Sequence, residues 1–159
     1  MKHIKEYNEY IDPFKEDDWD EVEPIEPDGT FLTWLKNKYP DESKWKDITV
    51  IDCKTQKLTN LIGIEKLINL EYLFCQHNQL TELDLSKNIK LEYLSCHDNQ
   101  LTQLYLSKNI KLRYLSCNNN QLIELHLNKN VNLRWLYCYN NQLTELDLSN
   151  NTKLRYKSI

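Results

Sequence analysis

Residues 91–111 read LEYLSCHDNQLTQLYLSKNIK and residues 112–132 read LRYLSCNNNQLIELHLNKNVN. Laid over one another, the two stretches share leucines, a cysteine and asparagines at a spacing of 21 residues. The match extends in both directions. Leu70, Leu91, Leu112, Leu133 and Leu154 fall in one column, and every other column then comes into register as LxxLxCxxNxLxxLxLxxNxx. The copy starting at Leu70 continues with Leu73, Cys75, Asn78, Leu80, Leu83, Leu85 and Asn88, and the copy starting at Leu133 with Leu136, Cys138, Asn141, Leu143, Leu146, Leu148 and Asn151. A degenerate copy precedes them through Ile48, Ile51, Cys53, Leu58 and Leu61, with one extra residue in the stretch Gly63 to Lys66. Atypical end copies are the rule in repeat arrays.

A coil this short cannot enclose its own leucines and must bury them against its neighbours, so the chain is expected to stack into a solenoid. In LxxLxC, Leu73 and Cys75 alternate with Tyr72, Phe74 and Gln76, the period-2 pattern of a strand with leucine and cysteine inward. Successive copies then pair as a parallel sheet on one face. Leu83 and Leu85 around Asp84 give a short extended segment on the back, where too few residues remain for a helical period. The asparagine columns have a structural role in this frame. An inward amide can satisfy backbone groups left unpaired by a sharp turn, both for Asn78, Asn99, Asn120 and Asn141 and for Asn88, Asn109, Asn130 and Asn151.

All five cysteines, Cys53, Cys75, Cys96, Cys117 and Cys138, share one column, which Ile159 continues. Each thiol comes from a different coil and sits among inward leucines, so a reduced buried ladder is expected rather than zinc or disulfides. No cofactor and no metal are expected.

The pattern LxCxxNxLTxLDLSxN over residues 48–159 resembles the internalin group of bacterial leucine-rich-repeat proteins, in particular its cysteine-ladder variety. Leu61 to Leu67 also resembles the LxGIExL passage that opens the repeats there, and Phe31, Trp34, Leu35 and Tyr39 resemble the group's small helical cap. The resemblance implies a binding role toward another protein. Helix signals for the cap stand independently: Thr30 can act as N-cap, apolar residues follow at helical spacing, and Pro40 stops the run. Trp45 and Ile48 are expected to complete the seal. The expected organisation is therefore an acidic tail over 1–28, a helical cap over 29–47 and repeats over 48–159.

Charge divides the chain in the same place. Residues 1–28 hold eleven acids against three lysines, a net of −8, which leaves +4 for the remainder of a chain whose total is −4. Three of the four prolines also lie there, and such a segment cannot bury enough apolar surface to offset its ordering entropy, so it is expected to be disordered when free. Within it, Asp17, Asp18, Trp19, Asp20 and Glu21 are the candidate contact residues. They support an alternative function, a small host-directed inhibitor of phage or effector origin that mimics nucleic acid toward a nuclease. No apolar run approaches the roughly 20 residues of a membrane span, and Met1 to Tyr10 have no secretory apolar stretch. The expected compartment is a cytoplasm, the host's if the protein is phage-encoded or delivered.

Candidate binding residues are sought on the outward strand columns, because packing explains the inward ones. One column reads Val50, Tyr72, Tyr93, Tyr114, Trp135, Tyr156. The next adds Phe74, Ser95, Ser116 and Tyr137, and a third adds Gln76, His97, Asn118 and Tyr139. Beside them Glu71 and Glu92 give way to Arg113, Arg134 and Arg155. Contiguous tyrosine, tryptophan and arginine have the composition of a protein-binding hot spot, although cross-strand stacking alone would also favour such a stripe. The expected partner is a protein docked on Tyr72, Phe74, Tyr93, His97, Arg113, Tyr114, Arg134, Trp135, Tyr137, Tyr139 and Tyr156.

Other functions fit less well. A sequence pI near 5.6 and the lack of a dense basic stripe argue against nucleic acid as partner. His77 and His97 lie on neighbouring coils with Asp98 nearby, but no nucleophile and base are forced together, so the histidines are expected to be polar cover and the chain not to be an enzyme. The last strand, Leu154 to Ser158, presents an edge expected to support a homodimer, with Lys153, Arg155 and Lys157 opposing it. Glu82, Glu124 and Glu145 with Lys87, Lys108 and Lys129 form a mixed surface to which no function is assigned.

Overall fold

The computed structural model describes residues 30–159. Helix α1, Phe31–Lys38, begins where the Thr30 hydroxyl accepts a hydrogen bond from the Thr33 backbone N–H, and it buries Phe31 and Leu35. A short 3-10 helix, Glu42–Asp47, follows, capped by the Asp41 carboxylate. It buries Trp45, whose indole N–H donates to the Tyr39 carbonyl at 2.8 Å. Together these elements cover the first coil. Gly63 adopts φ +107°, and a Cβ there would lie 3.0 Å from Leu32 Cδ1 of α1, so a side chain would strain the turn and crowd the Leu32 tip.

Six three-residue strands form one parallel sheet in chain order: β1 Val50–Asp52, β2 Tyr72–Phe74, β3 Tyr93–Ser95, β4 Tyr114–Ser116, β5 Trp135–Tyr137 and β6 Tyr156–Ser158. The register follows the repeat. Tyr72 lies opposite Tyr93, Leu73 opposite Leu94, and so on through the stack. Only the first step departs from 21 residues, with Val50 opposite Tyr72, and the extra residue is taken up around a 3-10 turn at Ile64–Lys66. The leucine columns and all five cysteines fill one continuous core. Past the 3-10 turn of the first repeat, the back of each repeat has neither helix nor ladder and closes on short turns such as Asn88 N–H to Leu85 carbonyl.

The two asparagine columns do different things. Asn120 donates to the carbonyls of Cys96 and Cys117, 3.0 and 3.1 Å away on two coils, while its Oδ1 accepts from the Leu101 N–H at 3.0 Å. Asn78, Asn99 and Asn141 repeat the pattern. Asn88, Asn109, Asn130 and Asn151 also donate to two carbonyls, but their buried Oδ1 atoms have no hydrogen-bond partner. The second column is therefore a donor-only cap rather than a copy of the first.

The cysteine thiols are free and buried. Burial pushes Cys96 up to about 12 and Cys138 up to about 11, and it holds Cys75 and Cys117 well above the ordinary thiol value. Ile159, in the same column, is 61% exposed at the open end of the stack.

Candidate partner-binding face

Strand alternation turns Tyr72, Tyr93, Tyr114, Trp135 and Tyr156 outward in one column. Their rings form a ladder. Tyr72 and Tyr93 centroids are 6.3 Å apart, and Tyr93 and Tyr114 stack at 4.1 Å with planes 4° from parallel. The ladder then changes column: Tyr114 meets Tyr137 at 5.7 Å, and Tyr137 meets Tyr156 at 5.0 Å. Phe74 leans on Tyr93 at 4.9 Å from the second column.

This crossing corrects one expectation. Tyr137 is only 7% exposed, because the rings on either side close over it, so it supports the face from within instead of offering contact area. Ser95 and Ser116, in the same column, are likewise buried beneath larger neighbours. Tyr72, Phe74, Tyr93, Tyr114 and Trp135 are half-buried, whereas Tyr139 and Tyr156 stand exposed at 37% and 44%. Burial also raises the hydroxyls in the middle of the ladder, Tyr93 to about 12 and Tyr114 upward as well, so these two rings stay uncharged across the physiological range.

Charge borders the ladder on one side. The Arg113 guanidinium lies 3.3 Å from the Glu92 carboxylate on the preceding coil, so these two largely offset one another. Arg134, half-buried, and Arg155, exposed, continue the column on the next two coils, where its acids Glu71 and Glu92 have given way to base. The aromatic and basic features thus converge on the coils of β5 and β6. On the other side, His97, half-buried, approaches Asp98 at 2.6 Å, and Asn118 is buried by its bond from Ser116. Of the sequence-selected residues, Tyr139, Trp135, Arg134 and Tyr156 are grouped where the surface is open, while His97 belongs to a separate polar cluster. Asp17, Asp18, Trp19, Asp20 and Glu21 lie outside the described residues.

Comparison with known proteins places this geometry. A family model described as leucine rich repeats in two copies matches residues 68–108. The solved functional domain of internalin J from Listeria monocytogenes, described as including a cysteine ladder, superposes with a TM-score of 0.70 at 43% identity. The match covers 71% of this chain and 25% of that one. The chain folds as a leucine-rich-repeat solenoid. Its repeats are of the cysteine-ladder kind, and the curated internalin J sequence of Listeria monocytogenes is 42% identical over 46 residues, 29% of this chain and 5% of the relative. A leucine-rich-repeat protein of Leptospira interrogans matches at 25% identity and a TM-score of 0.64, over 68% of this chain and 30% of its own. The chain therefore spans a small part of the internalin J sequence and about a quarter of the solved domain. Among the described residues, no helix is long and apolar enough to cross a membrane.

Sequence reading passed over two surface features. Ile68, Ile89, Ile110 and Val131 form an exposed stripe, 44–54% accessible, the last three each one position after a donor-only asparagine and Ile68 after Leu67 in the equivalent place. The signal was available, since the 21-residue period stacks those four apolar residues. The other is the residue preceding each first-column asparagine. His77, Asp98, Asn119 and Asn140 all have φ between 51° and 55°, the left-handed region that His, Asp and Asn tolerate better than most residues.

Proposed function

We propose that this chain is a non-catalytic binding module that grips a protein partner with the outward face of its main sheet, centred on Arg134, Trp135, Tyr139 and Tyr156. Leucine-rich repeats as a class serve protein–protein interaction, their stacked coils presenting an extended surface. The observation that carries the proposal is the aromatic ladder with an arginine column beside it. Stacking pre-orders the rings of Tyr93, Tyr114, Tyr137 and Tyr156 alongside that centre, so a partner that docks there immobilises few of these side chains anew. Tyrosine, tryptophan and arginine are the residue types that dominate binding energy at interfaces. The arginines favour a partner with an acidic contact surface. The buried thiols, held far from thiolate, are unsuited to nucleophilic chemistry.

The test is capture of a partner by three baits: the full chain, the chain lacking residues 1–28, and a variant with Trp135, Tyr139 and Tyr156 changed to Ala. Loss of one partner with the aromatic variant alone is the expected result. Loss only on removing residues 1–28 would assign the activity to the acidic segment instead.

A further inference from the structure

We propose that His77, His97 and Asp98 form a binding site for a first-row divalent transition metal such as zinc. The repeat brings them together. His77 and Asp98 occupy the same left-handed turn position on successive coils, with φ of 55° and 52°, and His97 occupies the adjacent strand-end position on the second of those coils. Backbone bonds lock this placement: the His77 N–H donates to the His97 carbonyl and the Asp98 N–H to the Asn118 carbonyl, both at 3.1 Å.

The side chains converge on one oxygen. Asp98 Oδ2 lies 2.6 Å from His97 Nδ1 and 3.6 Å from His77 Nδ1, and one ligand atom from each of the three residues falls within 4.8 Å of the others. An ion at about 2.0–2.2 Å from nitrogen and oxygen ligands bridges atoms up to roughly 4 Å apart, so a small rotation of one imidazole completes a three-ligand set. Two imidazoles and a carboxylate suit zinc, cobalt(II) or nickel(II), not magnesium or calcium, which take oxygen ligands.

Two further observations favour a built arrangement. The carboxylate is oriented from behind: Asn119 Nδ2 donates to Asp98 Oδ1 at 2.8 Å, and Asn140 Nδ2 donates in turn to Asn119 Oδ1 at 2.8 Å. Oδ1 is thereby occupied and Oδ2 turned to the imidazoles, the support that metal-ligating carboxylates commonly receive. The ligands are also accessible without being loose, with side-chain exposures of 39% for His77, 24% for His97 and 36% for Asp98. An ion can reach them and keep water in its remaining positions. Coils that carry Asn118, Asn119, Tyr139 and Asn140 at these positions lack such a ligand set, which confines the site to the coils of β2 and β3.

The test is titration of the full chain with Zn2+ and Co2+ by calorimetry and visible absorption. One ion per chain is expected, with cobalt d–d bands and no sulfur-to-cobalt charge transfer. His77→Asn, His97→Asn and Asp98→Asn place the residue that the chain's own later coils carry at the equivalent positions 119, 118 and 140, so the fold is retained while binding is lost. Asn119→Ala should weaken binding by about 10–100-fold, as removal of an outer-sphere support does. His3→Ala and His126→Ala, which remove the other two histidines, should leave it unchanged. Absence of saturable binding, binding that survives the triple asparagine variant, or a thiolate charge-transfer band would each overturn the proposal.

Discussion

The inside and the outward face of the solenoid are carried by the same short strands, yet they differ in how much they change from coil to coil. Inward, from β2 to β5, leucine follows leucine and cysteine follows cysteine, because each side chain packs on its counterpart above and below and a departure in one coil disturbs two others. Outward, the column beginning at Glu71 passes from acid to base, and the column beginning at Gln76 passes through histidine and asparagine to tyrosine. The strand geometry tolerates these changes, so the outward residues are free to serve a partner or an ion. The inside specifies the fold and the outside is available for function.

Substitutions test that division most severely inside. Leu115→Ala, at a fully buried position midway along the sheet, should destabilise by about 2–5 kcal/mol in urea unfolding. The asparagine columns come next and should separate from one another. Asn120→Ala strands an N–H and at least two carbonyls, at about 1–3 kcal/mol for each buried group left unpaired. Asn130→Ala strands only carbonyls and removes an Oδ1 that was already unpaired, so it should cost less. Equal losses would mean that the two columns are equivalent after all.

The thiol ladder makes a prediction about pH. The folded-state values of the buried cysteines lie above the ordinary value of 9.0, so above about pH 9 the unfolded chain releases protons that the folded one retains. Stability is therefore fully present below pH 9 and is lost as pH rises from there toward the folded values near 11 and 12. Each such thiol contributes a slope of about 1.4 kcal/mol per pH unit within that window. Thermal melts from pH 7.5 to 10.5 should show the decline, and Cys96→Val should make it shallower. The smallest effect is expected outside. Tyr156→Ala should cost no more than about 1 kcal/mol, because the residue is 44% exposed and covers Tyr137 with its ring at the end of the ladder.

The sequence made the fold legible because a 21-residue period leaves only one way to align the leucines, cysteines and asparagines. It also identified the outward columns, since alternation along a strand fixes which side chains share a face. Ring geometry was not legible. Tyr137 lies one column away from Tyr114 and Tyr156, and only its ring contacts with both show that the ladder steps sideways and buries it. The donor-only character of Asn88 and its counterparts was hidden for a similar reason, because both asparagine columns look alike until the turn geometry fixes which amide atoms find partners. The period already set His77, His97 and Asp98 close together, but the convergence of both imidazoles on Asp98 Oδ2 follows only from the left-handed turn and the side-chain geometry.

The central claim, that the partner sits on the outward strand face, is tested most directly by a photo-crosslinking residue placed singly at Trp135, Tyr139, Ile110, Glu124 or Trp19. These positions sample the aromatic face, the isoleucine stripe, the back and the acidic segment. Crosslinks to one partner from Trp135 and Tyr139, absent at the other three, are the expected result. Crosslinks confined to Ile110, Glu124 or Trp19 would contradict the account and move the binding surface to that side of the molecule.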